Sequence, residues 1–134
     1  MHQNLLGLKS VIRTRDFDRS KKFYSRILGL RIVEEYDDEN GSKGCILSFS
    51  TERNNALIEI SKIKPSHDFY QPAFDRIIDN DKIGIQIRTH SIDYWTEKLN
   101  KVWKTQGPID RPWGSIYLYL RDPDGIHIII FQEK

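Results

Sequence analysis

Apolar and polar residues alternate most regularly at 83–88, where isoleucines at every second position are separated by glycine or a polar residue. A period of two is typical of a half-buried strand. A helix is predicted next, because Ser91 is a good N-cap and apolar residues follow at helical spacing, namely Ile92, Trp95, Leu99 and Val102. A poorly defined extended piece near Lys104 and two clear strands, at 115–120 and 126–131, follow this helix.

The first half of the chain has the same order of elements. A strand-like run at 8–14 precedes Asp16, a good N-cap, and a helix pattern that ends at Gly29. The turn Asn40-Gly41 is a strong hairpin signal, and Arg53-Asn54-Asn55 is predicted to turn the chain again. Together these signals bound three further strands, which we predict at 31–36, 44–50 and 56–63.

The repeated order predicts an α+β fold of two βαβββ modules, in which helices pack on the outer face of a mixed β-sheet. Module one covers about 5–63, a connector covers 64–81, and module two covers 82–134, all within one domain of residues 1–134. In the connector, Pro72 is predicted to start a short helix. Its apolar residues need cover, so we expect a packed connector with one common apolar side, formed by Phe74, Ile77 and Ile78.

Composition excludes several classes of protein. The 134 residues are 38% hydrophobic and 30% charged with a formal net charge of +2, which is ordinary for one globular domain and gives no signal for nucleic acid or membrane. The lone Cys45 excludes an intramolecular disulfide and a cysteine-based zinc site. It is expected to be a small buried residue. The first residues lack the features of a signal peptide, so we expect a cytoplasmic protein.

Three motifs occur in a characteristic order along these modules: Phe23-Tyr24 before Leu28-Gly29-Leu30, then Pro112-Trp113-Gly114, then the turn Asp122-Pro123-Asp124-Gly125. In this order the chain resembles the vicinal oxygen chelate superfamily, which includes glyoxalase I, extradiol dioxygenases and the bleomycin-resistance binding proteins. The resemblance implies that each module curls its sheet into half of a cup. It also implies a homodimer in which modules of two chains complete each cup.

Metal enzymes of this superfamily carry their ligands on the first and last strands of each module. The resemblance places those four positions at Lys9, Glu59, Gly84 and Ile129. Only Glu59 is a suitable ligand, because an ammonium, a glycine and an isoleucine offer no lone pair to a divalent ion. We therefore predict no metal and no other cofactor, and hypothesise that Lys9 pairs with Glu59 on the cup floor. The duller alternative is a surface salt bridge of little energetic value.

Two other arrangements of these residues would be compatible with an enzyme. His127 lies two residues before Ile129, hence on the same sheet face, and together with Glu59 it could form a displaced metal site. Glu59 could also act as a metal-independent base. Either arrangement would suit a lyase, an isomerase or a dioxygenase of the same superfamily.

Strand alternation extends the predicted lining of the cup beyond the four metal positions. The predicted lining combines aromatic side chains with the positive charges of lysine and arginine. This combination suits an aromatic or amphipathic ligand with an anionic group. Trp113 is either a pocket wall or a hinge of its turn, and the tyrosines could be ordinary strand residues. The candidate ligand-binding residues are Lys9, Arg13, Glu59, Gln86, Arg88, Trp113, Tyr117, Tyr119 and His127.

The sequence thus favours a metal-independent protein that encloses a small molecule at a dimer interface. An enzyme using Glu59 or His127 is the main alternative. A structural dimer, whose cup is filled by its own side chains, is a third.

Overall fold

The computed structural model describes residues 5–49 and 56–134. Between Arg76 and Ile77 the chain divides into two compact units, residues 1–76 and 77–134, here called unit 1 and unit 2. The division falls within the predicted connector. No helix in the described residues is long and apolar enough to cross a membrane.

Unit 1 is a βαβββ module with a four-stranded mixed sheet. Strand β1 is parallel to β4, and the other neighbours are antiparallel, in the order β1-β4-β3-β2. Asp16 caps α1 by accepting from the amide of Arg19 at 3.2 Å, as predicted. The helix then widens into a π-helical turn, Phe23–Ile27, instead of continuing regularly to Gly29. The elements are β1 (Leu8–Arg13), α1 (Phe17–Lys22), β2 (Arg31–Asp38), β3 (Ser42–Ser48) and β4 (Ala56–Ile63).

Unit 2 repeats this topology, with the sheet order β5-β8-β7-β6. The predicted cap Ser91 accepts from the amide of Tyr94 at 3.2 Å. The helix ends at Leu99, so the predicted stripe member Val102 lies beyond it and is 58% exposed. The elements are β5 (Gly84–Arg88), α2 (Ile92–Leu99), β6 (Thr105–Arg111), β7 (Ser115–Arg121) and β8 (His127–Glu133).

The α+β fold of two βαβββ modules is confirmed, while three details of the strand and turn predictions need correction or lie outside the described residues. The piece near Lys104 is a full strand, β6, whose register shift between Gln106 and Ile109 hides the two-residue period. Strand β3 begins two residues earlier than predicted and ends at Ser48. Ser50 and the predicted turn at 53–55 lie outside the described residues.

Each unit buries the sheet face that carries its helix. In unit 1 the core includes Phe23, Tyr24, Cys45, Leu47, Ile58 and Ile60. In unit 2 it includes Ile92, Leu99, Leu118, Leu120, Ile128 and Ile130. Burying a side chain of this size contributes roughly 1.5–3 kcal/mol, so the core fixes which face of each strand points away from the helix. That other face carries the candidate site residues.

The connector differs from its predicted form after Asp75. A short 3₁₀ turn, Pro72–Asp75, forms where Pro72 predicted a helix start, but it is followed by extended chain at Arg76. Ile77 and Ile78 are 53% and 41% exposed, so a common apolar side with Phe74 is wrong. Both isoleucines belong to unit 2, because the chain divides between Arg76 and Ile77.

The Asp122–Gly125 turn joins β7 to β8, as the motif predicted. The carboxylate of Asp122 accepts from the amides of Asp124 and Ile126 at 2.9 and 2.8 Å. Gly125 has φ +86°, and a Cβ there would lie 2.6 Å from Ile77 Cγ2 and 2.7 Å from the Ile78 carbonyl oxygen. The amide of Ile78 donates to the Asp124 carbonyl at 2.8 Å. The turn thus packs closely against Ile77 and Ile78, the first residues of unit 2.

Gly125→Ala is expected to destabilise the protein more than Gly114→Ala. Both glycines have positive φ, so both substitutions cost about 1–2 kcal/mol of backbone strain. A Cβ at Gly114 meets nothing within 4 Å, whereas one at Gly125 collides with Ile77 and Ile78 and adds roughly 1–3 kcal/mol. Urea unfolding measures both. Equal losses for the two variants would contradict the close packing at Gly125.

Candidate functional site

In unit 1, the strand register places the predicted site residues on the sheet face opposite α1. In the parallel β1–β4 pair, Val11 lies beside Glu59 and Arg13 beside Ser61. Lys9, Arg13 and Glu59 therefore share a face, while Ile12, Ile58 and Ile60 fill the core behind them. The predicted strand orientation is confirmed.

Lys9 and Glu59 form the hypothesised ion pair. Lys9 Nζ lies 2.6 Å from Glu59 Oε1, and the side chains are 40% and 14% exposed. The hydroxyl of Tyr36 donates to the other carboxylate oxygen, Oε2, at 2.7 Å. It also lies 3.2 Å from Ser61 Oγ. Since Glu59 is largely buried and both of its oxygens are engaged, this is more than a plain surface salt bridge.

Tyr36 is a site residue that sequence reasoning missed. It reaches Glu59 from β2, across β3, because Gly44 lies between them in the sheet. A Cβ at Gly44 would collide with the Tyr36 ring. The available signal was the glycine within a predicted strand, which often marks the close approach of another group.

The surroundings of Glu59 keep it ionised. Burial by itself raises the pKa of Glu59, but the hydrogen bonds from Lys9 and Tyr36 outweigh burial and hold its pKa below the ordinary value. Burial and the bond to Glu59 raise the pKa of Tyr36, although Ser61 opposes them. A carboxylate with a lowered pKa is a weak proton acceptor, which counts against Glu59 as a general base.

The residues at the four metal positions do not fit a divalent ion. Lys9 occupies the first and donates to Glu59, whose oxygens are both already used. Gly84 has no side chain, and Ile129 is a buried hydrocarbon, 7% exposed. In residues 5–49 and 56–134, no three side chains of His, Cys, Asp or Glu lie close enough together to hold a metal. The alternative ligands Glu59 and His127 belong to different units.

Arg13 contacts two aromatic rings and forms no ion pair with the described acidic residues, although its charge helps to lower the pKa of Glu59. Its guanidinium carbon lies 5.3 Å from the centre of the Phe69 ring and 5.9 Å from that of Phe74. Its Nε is buried and lacks a hydrogen-bond partner among the described residues. The segment that supplies the two rings is held by Asp75, which accepts from Lys62 at 2.7 Å and from Tyr70 at 2.6 Å.

In unit 2 the corresponding face is aromatic. Tyr117 pairs with Phe131 and Tyr119 with Ile129 across β7 and β8, and Gln86 and Arg88 lie beside the same β8 residues from β5. Gln86, Arg88, Tyr117, Tyr119 and His127 therefore share one face, as predicted. A role in ligand binding stays a prediction for each of them.

Ring contacts join these side chains into a row. Trp113 and Tyr117 lie 5.5 Å apart between ring centres, and Tyr117 and Tyr119 lie 5.8 Å apart. His127 stacks on Tyr119 at 5.8 Å with an interplanar angle of 8°. Because its ring is stacked there, His127 is better described as one end of an aromatic row than as a lone metal ligand. The row is here defined as Trp113, Tyr117, Tyr119 and His127.

Arg88 and Cys45 lie outside the ion-pair cluster and the aromatic row. Arg88 lies 3.7 Å from Glu133 in a pair that is about two-thirds exposed on both sides, 65% and 63%, and such pairs contribute little. Cys45 is fully buried, as expected, and burial raises the pKa of its thiol to about 11. A protonated, enclosed thiol is not a nucleophile.

Comparison with known proteins agrees with this geometry. The model of the Glyoxalase/Bleomycin resistance protein/Dioxygenase superfamily matches residues 7–130. The chain belongs to this superfamily. A probable lactoylglutathione lyase of Synechocystis sp. is 26% identical to it over 130 residues, which cover 95% of each chain.

Solved structures share the fold. TnmS3, an antibiotic-binding protein from Streptomyces sp. CB03234, is 18% identical with a TM-score of 0.73, covering 99% of this chain and 100% of its own. The trypanothione-dependent glyoxalase I of Leishmania major is 21% identical with a TM-score of 0.71, covering 98% and 88%. The fold thus occurs in both a binding protein and an enzyme. The fold alone therefore does not distinguish the two functions, and the evidence has to come from the residues of the site.

Lys9→Met is expected to raise the pKa of Glu59, because it removes a hydrogen bond and a positive charge while the carboxylate stays largely buried. A carboxyl-detected NMR pH titration measures this. Since the pKa of Glu59 is lowered in the folded protein, the ion pair stabilises the fold at pH values above the ordinary carboxylate pKa. That stabilisation is lost as the pH falls through the pKa of Glu59 in the folded protein.

Lys62→Met is the matched control, because Lys62 pairs with Asp75 in the same unit. It should raise the pKa of Asp75 and leave that of Glu59 unchanged. A Glu59 pKa that does not respond to Lys9→Met would contradict the pair.

Proposed function

We propose that this chain is a metal-independent small-molecule binding protein of the glyoxalase/bleomycin-resistance type. The observation that carries the proposal is the cluster of Lys9, Glu59 and Tyr36, in which protein groups already satisfy the carboxylate that a metal would need. The ammonium of Lys9 supplies there the positive charge that a divalent ion otherwise supplies. Binding therefore needs no added cofactor.

The proposed ligand is aromatic or amphipathic and carries an anionic group. The aromatic row of unit 2 offers accessible ring faces and edges, at angles of 70° and 62° between Trp113, Tyr117 and Tyr119, for contact with an aromatic group. Arg13 offers a guanidinium that forms no ion pair with a carboxylate of the described residues, although its charge acts on Glu59. The structural likeness to TnmS3, an antibiotic-binding protein, supports a binding role.

A lyase is the second candidate, because a probable lactoylglutathione lyase is the relative that is 26% identical over nearly the whole chain. It would have to act without the usual metal ligands. Glu59 would be its base, and the lowered pKa of that carboxyl makes it a weak one. The geometry therefore favours binding.

The proposal includes a homodimer in the cytoplasm. β1 lies at the edge of its sheet and exposes apolar side chains, with Leu8 at 74% and Val11 at 37%. Exposed apolar residues on an edge strand are suited to cover by a second chain.

Protein purified without chelator should contain no stoichiometric iron, nickel, zinc or manganese, and prolonged EDTA treatment should leave its thermal midpoint unchanged. The reason is linkage, since only an ion that binds the folded state raises the midpoint. Elemental analysis and calorimetry measure the two quantities. Glu59→Gln is the control, because it removes the one suitable ligand. A bound ion that is lost in Glu59→Gln, together with a chelator-sensitive midpoint, would contradict the proposal.

A further inference from the structure

A second arginine, Arg111, lies beside the aromatic row. It is the last residue of β6, and the turn that follows is closed by the amide of Gly114, which donates to the Arg111 carbonyl at 3.1 Å. The turn folds Trp113 back so that the Arg111 guanidinium carbon lies 4.9 Å from the centre of the Trp113 ring. Trp113 is nevertheless 58% exposed. The stacked pair is therefore open to a molecule from outside.

The charge of Arg111 has no acidic partner among the described residues. Asp110, its neighbour in sequence, is bound by Lys134 at 2.8 Å. Glu133 pairs with Arg88, and Asp81 with Arg121 at 2.7 Å. Within residues 5–49 and 56–134, Arg111 itself forms no ion pair, and its Nε is buried without a hydrogen-bond partner. The Arg111 side chain as a whole is only half-buried, so a charge that pairs with no carboxylate of the described residues remains accessible to an anionic acceptor.

Arg111 lies at one end of the aromatic row, so the two ends of the row differ in charge. Register places Arg111 beside Ser115, two residues before Tyr117 on the same face of β7. The row then continues from Trp113 through Tyr117 and Tyr119 to His127. An aromatic molecule bound against the row would thus meet ring faces and edges, with the guanidinium at the Trp113 end.

We propose that Arg111 is a specificity-determining residue, whose guanidinium binds the carboxylate of a planar aromatic ligand that packs against Trp113 and Tyr117. The planar fork of arginine matches a carboxylate with two parallel hydrogen bonds, and stacking on Trp113 holds it in place. The same charge repels aromatic cations. This inference rests on the proposed binding function and narrows it to aromatic carboxylates.

The test uses three probes of the same shape: 2-naphthoate, neutral 2-naphthamide and cationic 2-naphthylmethylammonium. Each is titrated into the ¹⁵N-labelled full chain, and NMR follows the Nε–H signals of Arg111 and Arg13 and the indole N–H of Trp113. Naphthoate should shift Arg111 and Trp113 and bind about tenfold more tightly than naphthamide, a difference of about 1.4 kcal/mol. The cation should bind most weakly.

Variants separate charge from shape. Arg111→Gln should abolish the preference for naphthoate over naphthamide, and Arg111→Lys should keep part of it, because lysine retains the charge without the fork. Arg26→Gln is the matched control, since Arg26 is an exposed arginine in the π-helical turn of unit 1. It should change nothing. The wild-type Arg111 signal reports directly on the contact, so the test does not depend on any variant folding.

An unchanged preference in folded Arg111→Gln would overturn the inference and leave the binding function standing. So would a naphthoate titration that shifts Arg13 but not Arg111. If none of the three probes moves Trp113, both the inference and the aromatic ligand of the proposed function fall.

Discussion

The candidate site depends on a half-buried ion pair with a third member. Lys9 and Glu59 face each other from β1 and β4, and Tyr36 closes the cluster from β2. An ionised carboxylate that is 14% exposed requires compensation, and here an ammonium and a phenol provide it. The cluster thereby holds Glu59 ionised and engages both of its carboxylate oxygens. The proposed metal independence rests on the engagement of both Glu59 oxygens by other protein groups.

The two units use one topology for different chemistry. In both, the face behind the sheet packs against a helix and the other face carries the candidate residues. Unit 1 presents charged groups, with Arg13 held beside Phe69 and Phe74. Unit 2 presents the aromatic row, with Arg111 at one end. The strand register supplies the positions, and the side chains at those positions decide what each face can bind.

Much of this arrangement could be predicted from sequence, because it depends on local rules. Period-two alternation identified the outward faces of β4, β5, β7 and β8, and Asp16, Ser91 and the Asp122–Gly125 turn behave as their chemistry predicted. The Lys9–Glu59 pair was predicted from the resemblance to the superfamily, which assigned both residues to metal positions facing the cup.

The features that sequence reasoning missed depend on contacts between strands. Tyr36 reaches Glu59 only because Gly44 leaves room, and this requires the pairing of three strands. The register shift in β6 broke its alternation, so neither the strand nor its last residue, Arg111, stood out. Ile77 and Ile78 pack on a distant glycine, which no local pattern indicates.

The most direct test of the central claim is anomalous diffraction from crystals soaked in nickel or zinc. The account predicts no anomalous peak at Glu59, with Lys9 Nζ and the Tyr36 hydroxyl still bonded to its carboxylate. A peak bonded by Glu59 and at least two further protein side chains, at roughly 2.0–2.2 Å, with Lys9 displaced, would contradict it.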